Sequence, residues 1–443
     1  MRNLTITSIA ISVLLVGSGC STLGLSTSKP VVTERLVPVG SSPWNLDFGD
    51  PILRNILKES DLGAIDIKIA IARRAQADVE FEAAKALSRS QVEIGFNSAV
   101  GGRSPSNGAA AGTPSLLVAK DFDLSGRSAR AQDAAEYERR AMGSEVIVAR
   151  RLVGAETTRA YFALRAAQSL VNILTSERIS VLRLADLTRA LHAEVRTNQE
   201  EVTYQTEAVA DLDEKLSEAR LEVRLQTLRL GVLLNKAADI SILPSTLIPS
   251  DLPMVEQLSS EDVVTRPDVE AAYARLQAAD SHRAEAVAAT RARFVLTAYF
   301  GAADSSIINL LDVKSLAWAL AAEVSQNILD GGARKARISA AMVEVDLADL
   351  AYRKTVVQAW ADTRIAWAHV VAADAELKTA ESQCQLLRTQ LELVHRRAKA
   401  GVADTLDLLI ANDRVTKSEI YINAARLRAV MARIDLALTA PGE

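Results

Sequence analysis

Asp123-Leu124-Ser125-Gly126-Arg127-Ser128-Ala129-Arg130 returns later in the chain as Asp330-Gly331-Gly332-Ala333-Arg334-Lys335-Ala336-Arg337. Asp, Arg, Ala and Arg recur at the same offsets, with glycine between them. Such self-similarity marks a duplicated unit. Upstream of each copy lies a strand pattern. Val92, Ile94, Phe96, Ser98 and Val100 alternate with Glu93, Gly95, Asn97 and Ala99, a period of two with one face more apolar. The counterpart is Phe294 to Phe300, and return strands are expected at about 115–123 and 318–329. The loops between them are expected at Gly101–Pro114 and Ala302–Asp312. Four strands cannot bury both faces of a soluble sheet, yet their length suits a tilted bilayer crossing. Ahead of the strands stands an Ala-rich helix, about Pro51 to Ser88 in one unit and Pro267 to Arg291 in the other.

Downstream of each motif the pattern changes to that of long helices. From about Ser128 to Arg196 only Gly143 and Gly154 weaken the helix, and Ala333 to Ala400 has neither proline nor glycine. Roughly 70 residues at about 1.5 Å each reach on the order of 100 Å. Each ends in a short turn, near Thr197-Asn198 and at Gly401, and is followed by a shorter return helix. Val202, Val209, Leu212, Leu216, Ala219, Val223 and Leu230 keep heptad spacing on the first return helix, and Ile420, Ala424, Leu427, Met431, Ile434 and Leu438 on the second. Cys384 falls in such a series and reads as a small core residue. Helices this long with narrow Ala-rich stripes need lateral neighbours.

The bulk properties agree. Hydrophobic residues make up 49% of the 443, aromatics only 4% and charged residues 24%, the composition of long packed helices. A net charge of −4 without clustered Lys and Arg argues against nucleic acid. The first twenty residues read as an address: Arg2, an apolar run from Leu4 to Val16, then Gly17-Ser18-Gly19-Cys20. The Cys after small residues resembles a bacterial lipobox, with Ser21 in the outer-membrane sorting position; a plain secretory signal is the alternative. Residues 1–19 are then a signal peptide, 20–50 a lipidated segment, 51–235 and 265–443 the two repeats and 236–264 a linker.

Together, the lipidated start, the duplicated strand-bearing units, the Arg266-Pro267-Asp268-Val269 helix opening and the Gly-rich turns into long helices resemble the TolC-like outer-membrane efflux protein family. The resemblance covers essentially the whole mature chain. It implies a mainly helical homotrimer, with twelve strands closing one β-barrel in the outer membrane and twelve helices continuing it as a periplasmic tunnel. It implies as partners a periplasmic adaptor protein, an inner-membrane pump and outer-membrane lipid. Its equatorial collar would draw on about Trp44–Leu57, Leu234–Val264 and the C-terminus.

The candidate site residues follow from the residues and that resemblance. Cys20 would carry the lipid, the one covalent addition expected, with no cofactor. Gly126, Gly331 and Gly332 sit where strand must become helix, with Asp caps nearby. Gly401, Val402 and Ala403 resemble the family's adaptor-docking tip turn, whereas Arg196 to Glu200 in the first unit departs from it. Asp407 stands where relatives carry an inward-facing Asp at the pore constriction; Ile410 replaces a further one, so a ring of three would be thin. The alternative for Asp407 is a solvated helix face. His192 and His395 could form an imidazole layer near the tip, or lie on a solvated face. No metal-ligand spacing, Walker loop or hydrolase motif is found, so no catalytic residue and no enzyme is expected. A non-pore, periplasm-spanning coiled-coil lipoprotein is the competing reading, and it leaves the strands idle.

Overall fold

The computed structural model describes residues 48–101, 109–194, 199–236, 252–253, 262–302, 316–403 and 405–440. Cys20 and the 1–19 segment lie outside them, as do most of the linker, both strand-joining loops in large part, and the first tip turn.

The elements run α1 (Pro51–Gly63), α2 (Ile65–Ala86), β1 (Gln91–Gly101), β2 (Ala109–Phe122), α3 (Arg127–Ala193), α4 (Gln199–Leu233), a 3-10 turn (Asp262–Thr265), α5 (Pro267–Ala288), β3 (Arg293–Ala302), β4 (Leu316–Ser325), α6 (Ala333–Lys399) and α7 (Thr405–Leu438). α3 and α6 each hold 67 residues without interruption, about 100 Å of helix.

Three expectations are corrected. The single helix over Pro51–Ser88 is two, broken at Ala64, whose ψ of 132° is not helical. Gly63 just before the break is pressed against the Leu234 carbonyl, and a Cβ there would meet it at 2.9 Å. The strand expected at 115–123 begins at Ala109, because β1 pairs with it down to Gly101↔Ala109, and it carries Pro114 opposite Phe96. The strand expected at 318–329 stops at Ser325. Ile328 and Leu329, read as its end, are exposed, and the Ile328 carbonyl instead accepts from Arg334 at 3.1 Å.

The four strands form one antiparallel sheet in the order β1-β2-β3-β4. Below it the helices keep that order side by side. α2 packs on α3, α3 on α5 and α5 on α6; further down α4 packs on α3, α3 on α7 and α7 on α6. α6 therefore forms one lateral edge over its whole length, while α2 and then α4 form the other.

The seams are narrow. From the middle of α6 onward the buried residues are Ala359, Thr363, Ala366, Val370, Ala373, Ala380 and Cys384, spaced by three, four or seven. Small side chains let the backbones approach closely, which is why the chain is rich in Ala and poor in aromatics. The exception is one bulky cluster joining α1, α3 and α7, with Phe48, Leu53, Tyr161, Phe162, Val430 and Ile434 buried together and the Phe48 ring tilted against that of Phe162 at 4.7 Å. Beside it Asp50 caps α1 through the Ile52 amide at 2.9 Å and accepts from the Tyr161 hydroxyl at 2.6 Å and from Arg165. Burial pushes the Asp50 carboxyl up, but those donors and the guanidinium charge together hold it below its ordinary value.

Candidate functional site

The sheet has two chemically distinct faces. Residues directly opposite in an antiparallel ladder share a face. One row across all four strands is Ile94, Leu116, Phe300 and Trp318; the next is Val92, Val118, Ala298 and Leu320. Nearer the helices Phe122, Phe294 and Val324 form another, with the two rings edge to face at 5.9 Å. These side chains are open to the surroundings: Ile94 is 84% exposed, Trp318 75% and Leu320 63%. The row between, Lys120, Leu296 and Ala322, holds the single charge of this face among the described residues, and the Lys120 amine reaches back to the Ser88 carbonyl just past the preceding helix.

The opposite face carries Gln91, Glu93, Ser115, Asp121, Arg293, Thr297, Tyr299 and Glu323, with Leu117, Val295 and small residues between them. Arg293 and Asp121 pair across strands at 2.8 Å. An apolar surface of this extent on a soluble protein would aggregate; facing lipid, it is satisfied. Among the described residues the outer edges of β1 and β4 have no strand partner. No helix among them is long and apolar enough to cross a membrane.

The strand-to-helix turns are built alike in both units. Gly126 (φ 74°) stands directly before α3, and Gly331 (φ 63°) and Gly332 (φ 91°) directly before α6. These left-handed angles suit glycine, since a Cβ would crowd the following carbonyl. The Asp of each motif then caps the helix from outside it. Asp123 accepts from the Arg127 amide at 2.6 Å, the Ala129 amide at 3.0 Å and the Ser128 hydroxyl at 2.7 Å. Asp330 accepts from the Gly332 and Arg334 amides at 3.2 and 2.9 Å, and from the Arg334 side chain. For Asp123 partial burial is outweighed by these donors; for Asp330 the Arg334 amide acts first; both carboxyls fall below their ordinary value. The recurring Asp-to-Arg motif is thus a device for turning a strand into a helix.

At the far end of α6, Gly401 takes φ 72°. Its amide donates to the Ala398 carbonyl at 3.0 Å, and the Val402 amide to the Arg397 carbonyl at 2.9 Å, the pair of hydrogen bonds of a Schellman turn. Val402 is 75% exposed at the apex, and Ala403 is partly buried. Asp407 lies in the first turn of α7 and is exposed. His192 is in the last turn of α3, and His395 is exposed near the end of α6. Of the sequence-derived candidates, the structure groups Gly401, Val402 and Ala403 in one turn with Asp407 close by in sequence. It holds the strand-to-helix glycines at the other end of the long helices. Among the described residues no group of three or more His, Cys, Asp or Glu could hold a metal ion.

Sequence reasoning missed two polar features. One is the Asp50–Tyr161–Arg165 cluster. The other is Glu177 on α3, buried and accepting from Asn412 at 2.9 Å and from Thr416, both on α7. No local signal could have found either, because their partners are more than a hundred residues apart in the chain.

A four-stranded sheet with one lipid-suited face, continued by two pairs of long antiparallel helices, defines a membrane-inserted protein with a long helical extension. Comparison narrows this class. Residues 258–440 match the family described as outer membrane efflux protein. Over 330 residues the chain is 28% identical to the outer membrane protein OprJ of Pseudomonas aeruginosa, covering 71% of this chain and 67% of OprJ. To the probable efflux pump outer membrane protein TtgC of Pseudomonas putida it is 24% identical, covering 90% and 85%. Its fold is similar to that of the outer membrane protein VceC of Vibrio cholerae, with a TM-score of 0.81 at 20% identity over 91% and 100% of the two chains. Residues 258–440 are thus similar to the outer membrane efflux protein family, a family of outer membrane proteins rather than enzymes.

Proposed function

We propose that three copies of this chain form the outer-membrane exit duct of a tripartite efflux or export system, a passive conduit for small molecules or other cargo. The observation that carries this reading is the sheet with its exposed apolar face, polar opposite face and two open edges. Unpaired strand edges are not tolerated in lipid, so the sheet must close on copies of itself. Twelve strands make a barrel wide enough for a water-filled lumen lined by the polar face.

The helices support the same closure. Exposed apolar residues run along both lateral edges: Ile65, Ile69 and Val79 on α2, and Val343, Leu347, Leu350 and Val357 on α6. Each row keeps coiled-coil spacing, so each edge offers a seam that the chain itself does not fill. Edges of different composition that must meet imply head-to-tail contacts around a ring.

In this reading 1–19 is removed, Cys20 anchors the chain by lipid in the outer membrane, and residues 51–235 and 265–443 act as two repeats joined through the 236–264 linker. Gly126, Gly331 and Gly332 form the bend at the base of the barrel. Gly401, Val402 and Ala403 present the turn to a periplasmic adaptor that connects to an inner-membrane pump. Asp407, in three copies, lines the periplasmic constriction. A coiled-coil tether without a pore would have no use for a sheet with a lipid-suited face.

The test is fluorescence quenching of Trp318 in a variant whose other tryptophans are Phe, reconstituted in vesicles. Quenching by lipids brominated in the acyl chain, with protection from aqueous iodide, is expected. Efficient iodide quenching without bromolipid quenching would contradict the membrane placement.

A further inference from the structure

At the helical end of the sheet lies a cavity of about 270 Å³. Gln91, Asp121 and Arg293 in its wall belong to the polar face, so it opens on that side. Neighbouring segments of the chain meet there, and each delivers arginine. Arg89 comes from the turn between α2 and β1, Arg291 from the turn between α5 and β3, Arg293 from the start of β3 and Arg127 from the start of α3. The first two stand at equivalent places in the two repeats. The Arg89 amide donates to the Ala86 carbonyl and the Arg291 amide to the Ala288 carbonyl, both at 3.0 Å. Each repeat thus leaves its short helix by the same turn and puts an arginine at the end of it.

The cavity also holds three carboxylates, and their commitments decide which cations are left over. Asp121 is taken by Arg293 at 2.8 Å. Asp123 is spent on the first turn of α3, where it accepts from two amides and the Ser128 hydroxyl. Glu285 lies between Arg127 at 3.6 Å and His282 at 3.7 Å, too far for a hydrogen bond to either. Arg89 faces Glu82 at 3.8 Å, and both side chains are well exposed. Arg291 has no acidic partner among the described residues. Glu93 and Glu323, further acids of this face, do not line the cavity. Arg89, Arg127 and Arg291 are all exposed, so the donors of three guanidiniums remain for a ligand.

We propose that this cavity binds polyvalent oxyanions, so that cargo bearing several carboxylate or phosphate groups is held on the lumen wall where barrel and helices join. This rests on the duct reading and adds a class of cargo to it. A guanidinium matches such groups with two parallel hydrogen bonds. One exposed ion pair is weak, whereas several converging on a single anion add up. The site stands at the other end of the long helices from Asp407, so the two ends of the duct offer a passing molecule opposite charge.

Calorimetric titration of the purified protein with inorganic pyrophosphate, and with citrate, tests this at low salt. Saturable binding is expected, and it should fall as salt rises. Arg291→Gln or Arg89→Gln should each weaken it about tenfold, the loss of one charge-assisted hydrogen bond. Asp121→Asn, which releases Arg293, should tighten it several-fold. Arg337→Gln, exposed on α6 and outside the cavity, should leave it unchanged. No saturable binding, or binding indifferent to both Arg291→Gln and Arg89→Gln, would mean that these arginines only complement the C-terminal ends of their helices. In planar bilayers pyrophosphate on the barrel side should lower the current, and less so in Arg291→Gln. A current untouched by an anion that the protein binds would overturn the placement in the lumen. Binding by a native protein that forms neither trimer nor channel would instead sink the duct reading, and the cargo role with it.

Discussion

Asp50→Ala tests how the upper periplasmic bundle is locked. In the native chain this carboxylate caps α1 through the Ile52 and Leu53 amides, accepts from the fully buried Tyr161 hydroxyl and faces the Arg165 guanidinium, itself only 4% exposed. Removing one member of a buried ion pair costs about 3–5 kcal/mol, because the remaining charge loses its compensation. Loss of the helix cap adds about 1 kcal/mol. Shared partners make the two less than additive, so a total of about 4 kcal/mol is expected. Asp50→Asn keeps a cap acceptor and should cost less. Hydrogen exchange read by mass spectrometry on the folded protein is the assay, since it resolves local opening. The amides of α1 and of α3 around Tyr161 should lose protection, while the turn at Gly401 should not. The pH dependence has a defined sign. The folded carboxyl lies below its ordinary value of 3.8, so its contribution is whole above about pH 4 and fades as pH falls through the lowered folded value. Protection within about 1 kcal/mol of native in Asp50→Ala would refute the assigned role of the cluster.

Three further outcomes are expected. Asp123→Ala removes the acceptor for the Arg127 and Ala129 amides, and should cost about 1 kcal/mol, read as faster exchange in the first turns of α3. Asp407→Asn should partly reduce cation selectivity in planar bilayers, since only three charges would be lost; Asp413→Asn, whose carboxylate is held by Lys417 at 2.7 Å, is the control, and equal selectivity in wild type and Asp407→Asn would remove Asp407 from the constriction. Cys20→Ala should abolish labelling with palmitate, and unchanged labelling would sink the lipid anchor.

Much of this architecture was legible because its signals are local and repeated. Period-two alternation from Val92 marked the first strand, and unbroken heptads in α6 left no place for the helix to end before Gly401. The Asp-to-Arg motif was legible as a turn because its capping partners lie within six residues of Asp123. Boundaries failed where a local rule met a tertiary contact. Pro114 suggested a loop, but the β1 ladder carries β2 through it. The apolar pair Ile328-Leu329 suggested strand, but the turn anchored by Arg334 claims that stretch. The break at Ala64 lies beside Leu234, far along the chain, and the buried Asp50 and Glu177 clusters rest on equally distant partners.

Single-channel recording on a size-purified oligomer tests the central claim most directly. Light scattering should give a trimer in mild detergent, and that species should insert into planar bilayers with discrete conductance steps. A monodisperse monomer that retains its strands, or a trimer that inserts without conducting, would contradict the account.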